Sequence, residues 1–218
     1  MANSNNEDYT VQEVDLAIGK AELFIMEHKK QIMTICAAII VIVSAVWGWT
    51  TYKDSQNAKA QDAIYNSQFL FEQGQYEQAL EGFESVISDF GSTPTGNLAK
   101  AYAGICNKEL GNYAEAINLL KDFSGSDAVL APAVLCAIGD CYVNQDNADN
   151  KEAANYFEKA AKAANNAQYT PLYLKKAGLA YEAAGDNASA AKAYQAIKDN
   201  WAETVTAQTI DKYIERVK

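Results

Sequence analysis

Histidine is almost absent from this chain, and proline is scarce. The only histidine among the 218 residues is His28, so the remainder offers no imidazole as general base, metal ligand or triad member. It also lacks a glycine-rich phosphate-binding loop that ends in Lys-Ser or Lys-Thr. Three prolines leave long stretches free to form helix, and the many alanines favour it. We expect a helical protein that is not an enzyme and uses no cofactor or metal.

The chain also lacks an excess of positive charge. Its formal net charge of −10 argues against nucleic-acid binding and against docking on anionic lipid by charge. One acidic group, formed by Asp140, Asp146, Asp149 and Glu152, lacks the spacing and the central glycine of a calcium-binding loop. We interpret these carboxylates as solvated side chains of a polar loop.

The cysteines lack the paired spacing of a metal site. Cys36 lies in an apolar run, and Cys106, Cys136 and Cys141 follow it. The last two are five positions apart, a poor spacing for a disulfide within one helix. Two interpretations stay open. The three later cysteines are buried free thiols, or Cys106 forms a disulfide with Cys136 or Cys141 in an oxidising compartment.

An uncharged apolar run covers residues 31–52. A run of about 20 apolar residues is long enough to cross a bilayer. Two tryptophans and a tyrosine lie at its end, where amphipathic rings favour the interface, and a His-Lys-Lys sequence precedes it. This predicts a transmembrane helix. A cleaved signal peptide is the alternative, but about 30 residues, several of them acidic, precede the run instead of a short basic start.

The lysines near the run give it an orientation. Three precede it and two follow it, which favours a cytoplasmic N-terminus by the positive-inside rule. We therefore predict a cytoplasmic tail over residues 1–30 and an external domain over residues 53–218. Within the tail, apolar residues from about Val11 to His28 predict a short amphipathic helix at the inner leaflet, with a simple spacer as the alternative.

The external domain contains an internal repeat. GQYEQALEGF (74–83), GNYAEAINLL (111–120) and GDNASAAKAY (185–194) share an initial Gly, an Ala in sixth place and an apolar residue in tenth place. Gly74 and Gly111 are 37 positions apart, and Gly185 lies twice that distance beyond Gly111. A further unit therefore belongs at 137–160, where about two extra residues fall in a polar loop.

Each unit predicts a helix, a turn and a second helix. The three glycines suit the left-handed position that ends a helix. Ala79, Ala116, Ala153 and Ala190 would let two helices approach closely. The larger side chains one turn later would fill the space between units: Phe83, Leu120, Phe157 and Tyr194.

The units resemble tetratricopeptide repeats, whose pattern has a small residue near position eight, a tyrosine three later, then alanine, an aromatic residue and alanine. The last unit matches with Gly178, Tyr181, Ala190, Tyr194 and Ile197. The two units nearest the apolar run depart from the pattern, since the tyrosine is replaced there by leucine and asparagine. The resemblance implies an all-α fold: a transmembrane helix, then an α-solenoid of about four helical hairpins with a capping helix from about Val205 to Val217.

The resemblance also places a concave protein-binding groove on the first helix of each unit. The groove positions are Gln61, Ile64, Gln68 and Phe71; Leu98, Ala101, Ile105 and Lys108; Ala133, Cys136, Asp140 and Val143; Leu172, Lys175, Leu179 and Glu182. This lining is partly apolar and lacks the basic clamp of the family's chaperone-tail binders. An apolar groove suits extended or helical protein segments. The alternative is that some of these residues pack on the capping helix.

The layout, one N-terminal anchor followed by periplasmic repeats, resembles the YfgM-like family of bacteria. That resemblance implies association with a SecYEG-type translocon and with a PpiD-like membrane-anchored chaperone. We therefore expect a non-catalytic adaptor in the bacterial inner membrane, with its repeats in the periplasm. Three other interpretations stay open: a scaffold for outer-membrane assembly or for cell-wall and division machinery, an adaptor that faces the cytoplasm, and the accessory part of an enzyme complex whose catalytic chain is elsewhere.

Overall fold

The computed structural model describes Leu16, residues 18–20 and residues 22–218. The predicted amphipathic helix of the tail therefore lies partly outside the described residues, and residues 22–27 within it are helical. The chain divides into two compact units after Asp54.

The first unit contains the apolar run. The run belongs to helix α1, Lys29–Glu72, and its side chains are exposed, as for Ile42 at 61% and Trp47 at 72%. Of the helices in the described residues, only α1 is long and apolar enough to cross a membrane by length and composition. Residues 31–52 of an α-helix rise about 33 Å, and a bilayer core is about 30 Å thick. The long apolar helix is confirmed, and its insertion into a membrane stays a prediction.

The second unit is built from helical hairpins. The end of α1 pairs with α2, α3 with α4, α5 with α6, and α7 with α8. The bounds are α2 Tyr76–Phe90, α3 Pro94–Glu109, α4 Tyr113–Asp122, α5 Leu130–Asn144, α6 Asn150–Ala164, α7 Thr170–Ala183 and α8 Asn187–Asn200, followed by a 3₁₀ turn, Ala207–Thr209, and α9, Asp211–Arg216. The predicted α-solenoid of four hairpins with a C-terminal cap is confirmed.

Glycine ends the first helix in three of the four hairpins. Gly74, Gly111 and Gly185 have φ values of 72°, 81° and 77°, in the left-handed region that favours glycine. The third hairpin turns without such a glycine. There the Asp149 carboxylate accepts a hydrogen bond from the backbone N–H of Glu152 at 2.9 Å, which caps the first turn of α6.

Small residues on the first helix receive large side chains from the second. On the second helices themselves, Ala79, Ala116, Ala153 and Ala190 are fully buried, as the repeat predicts. Gly104 of α3, Gly139 of α5 and Gly178 of α7 have no room for a side chain, because Leu120, Phe157 and Tyr194, respectively, fill it. These contacts set the close approach of the two helices in the last three hairpins.

The C-terminal segment covers the end of the repeat array. Ile210, Ile214 and Val217 pack into one cluster with Tyr194 and Ile197. The regular helix begins only at residue 211, later than the predicted start. The segment still acts as a cap, because it buries the apolar face that α8 presents at the end of the array.

The cysteines of the repeat domain are free and buried. Burial raises the pKa of Cys106 to about 12 and the pKa values of Cys136 and Cys141 to about 11. Thiols with such pKa values are neutral at physiological pH and are weak nucleophiles. Of the two interpretations left open by the sequence, the structure has the buried free thiols and not the disulfide.

Candidate protein-binding groove

Three of the predicted groove residues meet around one pocket, here called the groove pocket. Asp140 and Val143 of α5 face Leu179 of α7 across a space of about 190 Å³. Its complete lining is Asp140, Val143, Asn150, Phe157, Lys176, Leu179, Ala180 and Ala183. The pocket thus lies where the third and fourth hairpins meet.

The local sequence explains why these side chains converge. Asp140 and Val143 are three positions apart and therefore lie on the same face of α5. Val143 and Leu179 are 38% and 40% exposed, so both present apolar surface to solvent. Phe157 is 2% exposed and contributes the buried wall. A partner side chain entering here would remove apolar surface from water at both rims.

An ion pair joins the two hairpins at the pocket. The Lys176 Nζ lies 2.7 and 2.8 Å from the two carboxylate oxygens of Asp140 and 5.4 Å from the centre of the Phe157 ring. Burial alone would lower the pKa of Lys176, but the hydrogen bond and the charge of Asp140 outweigh it, so its pKa is raised. The two charges neutralise each other. The pocket therefore suits an apolar side chain better than an acidic one.

Two predicted groove residues of the fourth hairpin contact the C-terminal cap instead. The Lys175 Nζ lies 4.7 Å from the centre of the Tyr213 ring. The Glu182 carboxylate accepts hydrogen bonds from Tyr194 and from Arg216, the latter at 2.7 Å. These are the contacts with the capping helix that the sequence left open as an alternative. Leu172, by contrast, is 47% exposed.

Three predicted groove residues are part of the core. Ile64, Ala101 and Cys136 are 3%, 1% and 7% exposed and belong to the hydrophobic clusters between helices. Because they are buried beneath the surface of the groove, a partner would not contact them. This corrects their predicted exposure. The repeat pattern identifies the helix face, but the packing of the next hairpin decides which of its positions are covered.

The first two hairpins carry the remaining predicted positions. Phe71 is half-buried, and its ring packs edge-on against Tyr102 at 5.2 Å and Tyr76 at 5.6 Å. Lys108 forms an ion pair with its neighbour Glu109 at 2.6 Å. The other positions differ in exposure: Gln61 is exposed, while Gln68, Leu98, Ile105 and Ala133 are half-buried. They lie outside the lining of the groove pocket.

Lys176 is the functional residue that the sequence reasoning missed. It follows Asp140 by 36 positions, close to one repeat period, so the two lie at nearly equivalent places in adjacent units. Opposite charges at that spacing were the available signal.

Comparisons with known proteins agree with the fold. A family model described as tetratricopeptide repeat-like domain matches residues 27–215. A crystal structure from Podosopora anserina, described as a kinesin light chain with nearly identical TPR-like repeats, is similar with a TM-score of 0.56 and 16% identity, over 73% of this chain and 85% of that one. The crystal structure of a variant of that protein is similar with a TM-score of 0.56 and 15% identity, over 73% of this chain and 84% of that one. At such identities the likeness shows the fold alone. No curated protein sequence matches the chain.

Proposed function

The chain belongs to the tetratricopeptide repeat-like domain family, and from that premise we propose that it is a non-catalytic, membrane-anchored adaptor that holds protein segments in its groove. Repeat solenoids of this kind are protein-interaction scaffolds. The observation that carries the proposal is the pair of exposed apolar side chains, Val143 and Leu179, at the rim of a pocket whose charges are already paired.

The size of the groove pocket favours a protein segment over a metabolite. Small-molecule sites usually enclose roughly 300–1,000 Å³, whereas the groove pocket holds about 190 Å³. Such a volume suits one aliphatic side chain of a longer segment. The segment itself would lie along the exposed faces of α5 and α7 in an extended or helical form.

The apolar run supports the membrane anchor. Its side chains are exposed and pack against no core formed by the described residues, which suits a helix surrounded by lipid. At its end the Lys53 Nζ lies 5.8 Å from the centre of the Trp49 ring, an arrangement suited to the membrane interface. In this proposal residues 31–52 cross the bacterial inner membrane, residues 1–30 are cytoplasmic, and residues 53–218 are periplasmic.

The proposed partners come from the resemblance in layout to YfgM-like proteins. They are a SecYEG-type translocon, contacted by the span and tail, and a PpiD-like chaperone or an emerging chain, held by the groove. An anchored domain beside a protein channel would need no chemistry of its own. Its contribution would be a high local concentration of the partners that it binds.

Purification of the tagged full-length chain in mild detergent, with quantitative mass spectrometry of co-purified proteins, tests this function. A second protein carries Val143→Asp and Leu179→Asp, and a control carries Val205→Asp, since Val205 is 79% exposed and lies outside the pocket. A third carries an unrelated span in place of residues 31–52. We expect translocon subunits to depend on the span and chaperones to depend on the groove. Enrichment of outer-membrane assembly or cell-wall proteins instead would remove the export role.

Protease access tests the orientation separately. A C-terminal tag on the full-length chain should be digested when protease is added to spheroplasts, because residues 53–218 are proposed to be periplasmic. A tag that stays intact until the inner membrane is lysed would place the repeats in the cytoplasm and contradict the export adaptor.

A further inference from the structure

A second pocket, here called the rear pocket, opens between α4, α5 and α6. It measures about 330 Å³ and is lined by Leu120, Lys121, Phe123, Gly125, Ala131, Val134, Leu135, Ile138, Tyr156 and Lys159. It exists because α4 is only 10 residues long, while the second helices of the other hairpins have 14 or 15. After Asp122 the chain continues in an extended conformation at Phe123, so no further helical turn of α4 covers this side of α5.

The rear pocket and the groove pocket lie on opposite sides of α5. Ile138 lines the rear pocket and Asp140 lines the groove pocket. Two positions along an α-helix correspond to a rotation of about 200°. The two pockets share no lining residue, so occupation of one leaves the other free.

Lysines stand at the rim of the rear pocket above an apolar floor. The Lys121 Nζ donates a hydrogen bond to the Tyr142 hydroxyl at 2.8 Å and lies 5.6 Å from the centre of the Tyr156 ring. The Lys159 Nζ lies 4.4 Å from the centre of that same ring. Aromatic faces attract such cations, and the ring pair, 5.7 Å apart, keeps both ammonium groups beside the opening.

These lysines have no carboxylate partner among the described residues. The ion pairs of the described chain involve other lysines or arginine. The nearest acidic residues in sequence have other neighbours: Asp122 pairs with Lys100 at 3.7 Å, and Glu158 lies near Tyr181, whose pKa is raised by burial and by that carboxylate. The rim is therefore a local positive site in a chain whose net charge is −10.

We propose that the rear pocket binds an acidic protein segment that carries one aromatic or large aliphatic side chain. That side chain would enter between Phe123 and Ile138, and flanking carboxylates would pair with Lys121 and Lys159. Complementary charge would give the site its specificity, and the apolar floor would anchor the segment. An anionic membrane surface is the poorer fit, because the whole chain is strongly negative.

The consequence is an adaptor with two independent docking sites. The groove pocket, with its paired charges, takes an apolar segment, and the rear pocket takes an acidic one. One chain could then hold two partners at once, on either side of the third hairpin. This inference does not depend on which partner fills the groove or on the orientation of the membrane anchor.

Fluorescence anisotropy with the full-length chain in a neutral detergent tests the proposal. The probe is a dye-labelled peptide in which one phenylalanine is flanked by two aspartates on each side. Two matched peptides carry asparagine for aspartate or serine for phenylalanine. Both should bind at least about tenfold more weakly than the probe, and salt should weaken the binding of the probe.

Paired protein variants locate the site. Lys121→Glu with Lys159→Glu should weaken probe binding at least about tenfold. The control, Lys59→Glu with Lys192→Glu, makes the same change in net charge away from the pocket and should stay within about twofold. Ala131→Leu, which fills part of the pocket without changing charge, should also weaken binding. Circular dichroism checks the fold of each variant.

Three results would overturn the proposal. They are undetectable binding to the wild-type chain, equal losses in the two lysine pairs, and indifference to the phenylalanine of the probe. The last two would indicate general charge attraction instead of a specific site. Leu179→Asp changes the groove pocket and should leave probe binding unchanged. The proposal for the rear pocket and the proposal for the groove can therefore fail independently of each other.

Discussion

The ring of Phe157 occupies the space that a side chain on Gly139 would need. A Cβ atom on Gly139 would lie 2.6 Å from Cε1 and 2.8 Å from Cδ1 of that ring. The contact lets α5 and α6 approach closely, and the same ring forms the buried wall of the groove pocket. The repeat packing therefore builds the site directly, since the residue that fills the hairpin also shapes the surface offered to a partner.

Gly139→Ala should lower the free energy of unfolding by about 1–3 kcal/mol, because the added methyl group overpacks the hairpin. Urea titration followed by circular dichroism measures the loss. In a Phe157→Leu background the same substitution should cost less, since the ring is gone. Costs that simply add in the double variant would mean that the two residues are not coupled.

Gly111 is required because its backbone adopts a left-handed conformation, and not because another group packs closely against it. Its φ is 81°, and a Cβ atom there would meet nothing within 4 Å. Gly111→Ala should cost about 1–2 kcal/mol of unfolding free energy, as expected for a left-handed non-glycine residue. Gly111→Asn should cost less, because asparagine tolerates that conformation, as Asn165 does at φ 43°. Equal losses in the two variants would contradict this explanation.

The buried thiols should resist alkylation in the native chain. The raised pKa values of Cys106, Cys136 and Cys141 keep them protonated at about pH 7.5, and burial blocks access. Peptide mass spectrometry after iodoacetamide treatment should find these three unmodified. In denaturant without reductant, all three should become modified. If any two require a reductant first, they form a disulfide in the protein as isolated.

The Glu182 carboxylate should make the attachment of the C-terminal cap sensitive to acid. Burial raises its pKa, but hydrogen bonds from Arg216 and Tyr194 outweigh burial and lower the pKa from its usual value of 4.5. A carboxyl with a lowered folded-state pKa stabilises the fold above its unfolded-state pKa, and this contribution is lost as the pH falls through the folded-state value.

Glu182→Gln should therefore be less stable than the wild type at about pH 7, and the difference should shrink as the pH falls through the lowered folded-state pKa of the wild-type carboxyl. Thermal unfolding at a series of pH values measures the difference. Glu215→Gln removes the same charge from an exposed position of α9 and serves as the control. A difference between Glu182→Gln and wild type that does not shrink as the pH is lowered would contradict the linkage.

The repeat architecture could be predicted from the sequence because its requirements are local. A left-handed turn needs glycine, and a close helix crossing needs alanine, so Gly111 and Ala116 identify their hairpin wherever it lies in the array. The spacing of 37 positions then fixes the number of hairpins. Each hairpin can therefore be predicted from its own residues, without knowing how the neighbouring units pack.

The candidate sites were less predictable because they depend on neighbours. Ile64 and Ala101 lie on the predicted groove faces, but adjacent helices cover them. Lys175 turns to the ring of Tyr213, a contact that no repeat pattern describes. The rear pocket follows from the early end of α4 at Asp122, where the chain departs from the repeat.

Site-specific photocross-linking in cells would test the groove most directly. A benzophenone amino acid replaces Leu179 in the full-length chain, and the control carries it at Val205, which is exposed but outside the pocket. We expect Leu179 to cross-link to a translocon-associated chaperone or an exported chain, and Val205 to give no such product. No protein cross-link from Leu179, or the same products in equal yield from both positions, would contradict the account of the groove as the site that holds protein segments.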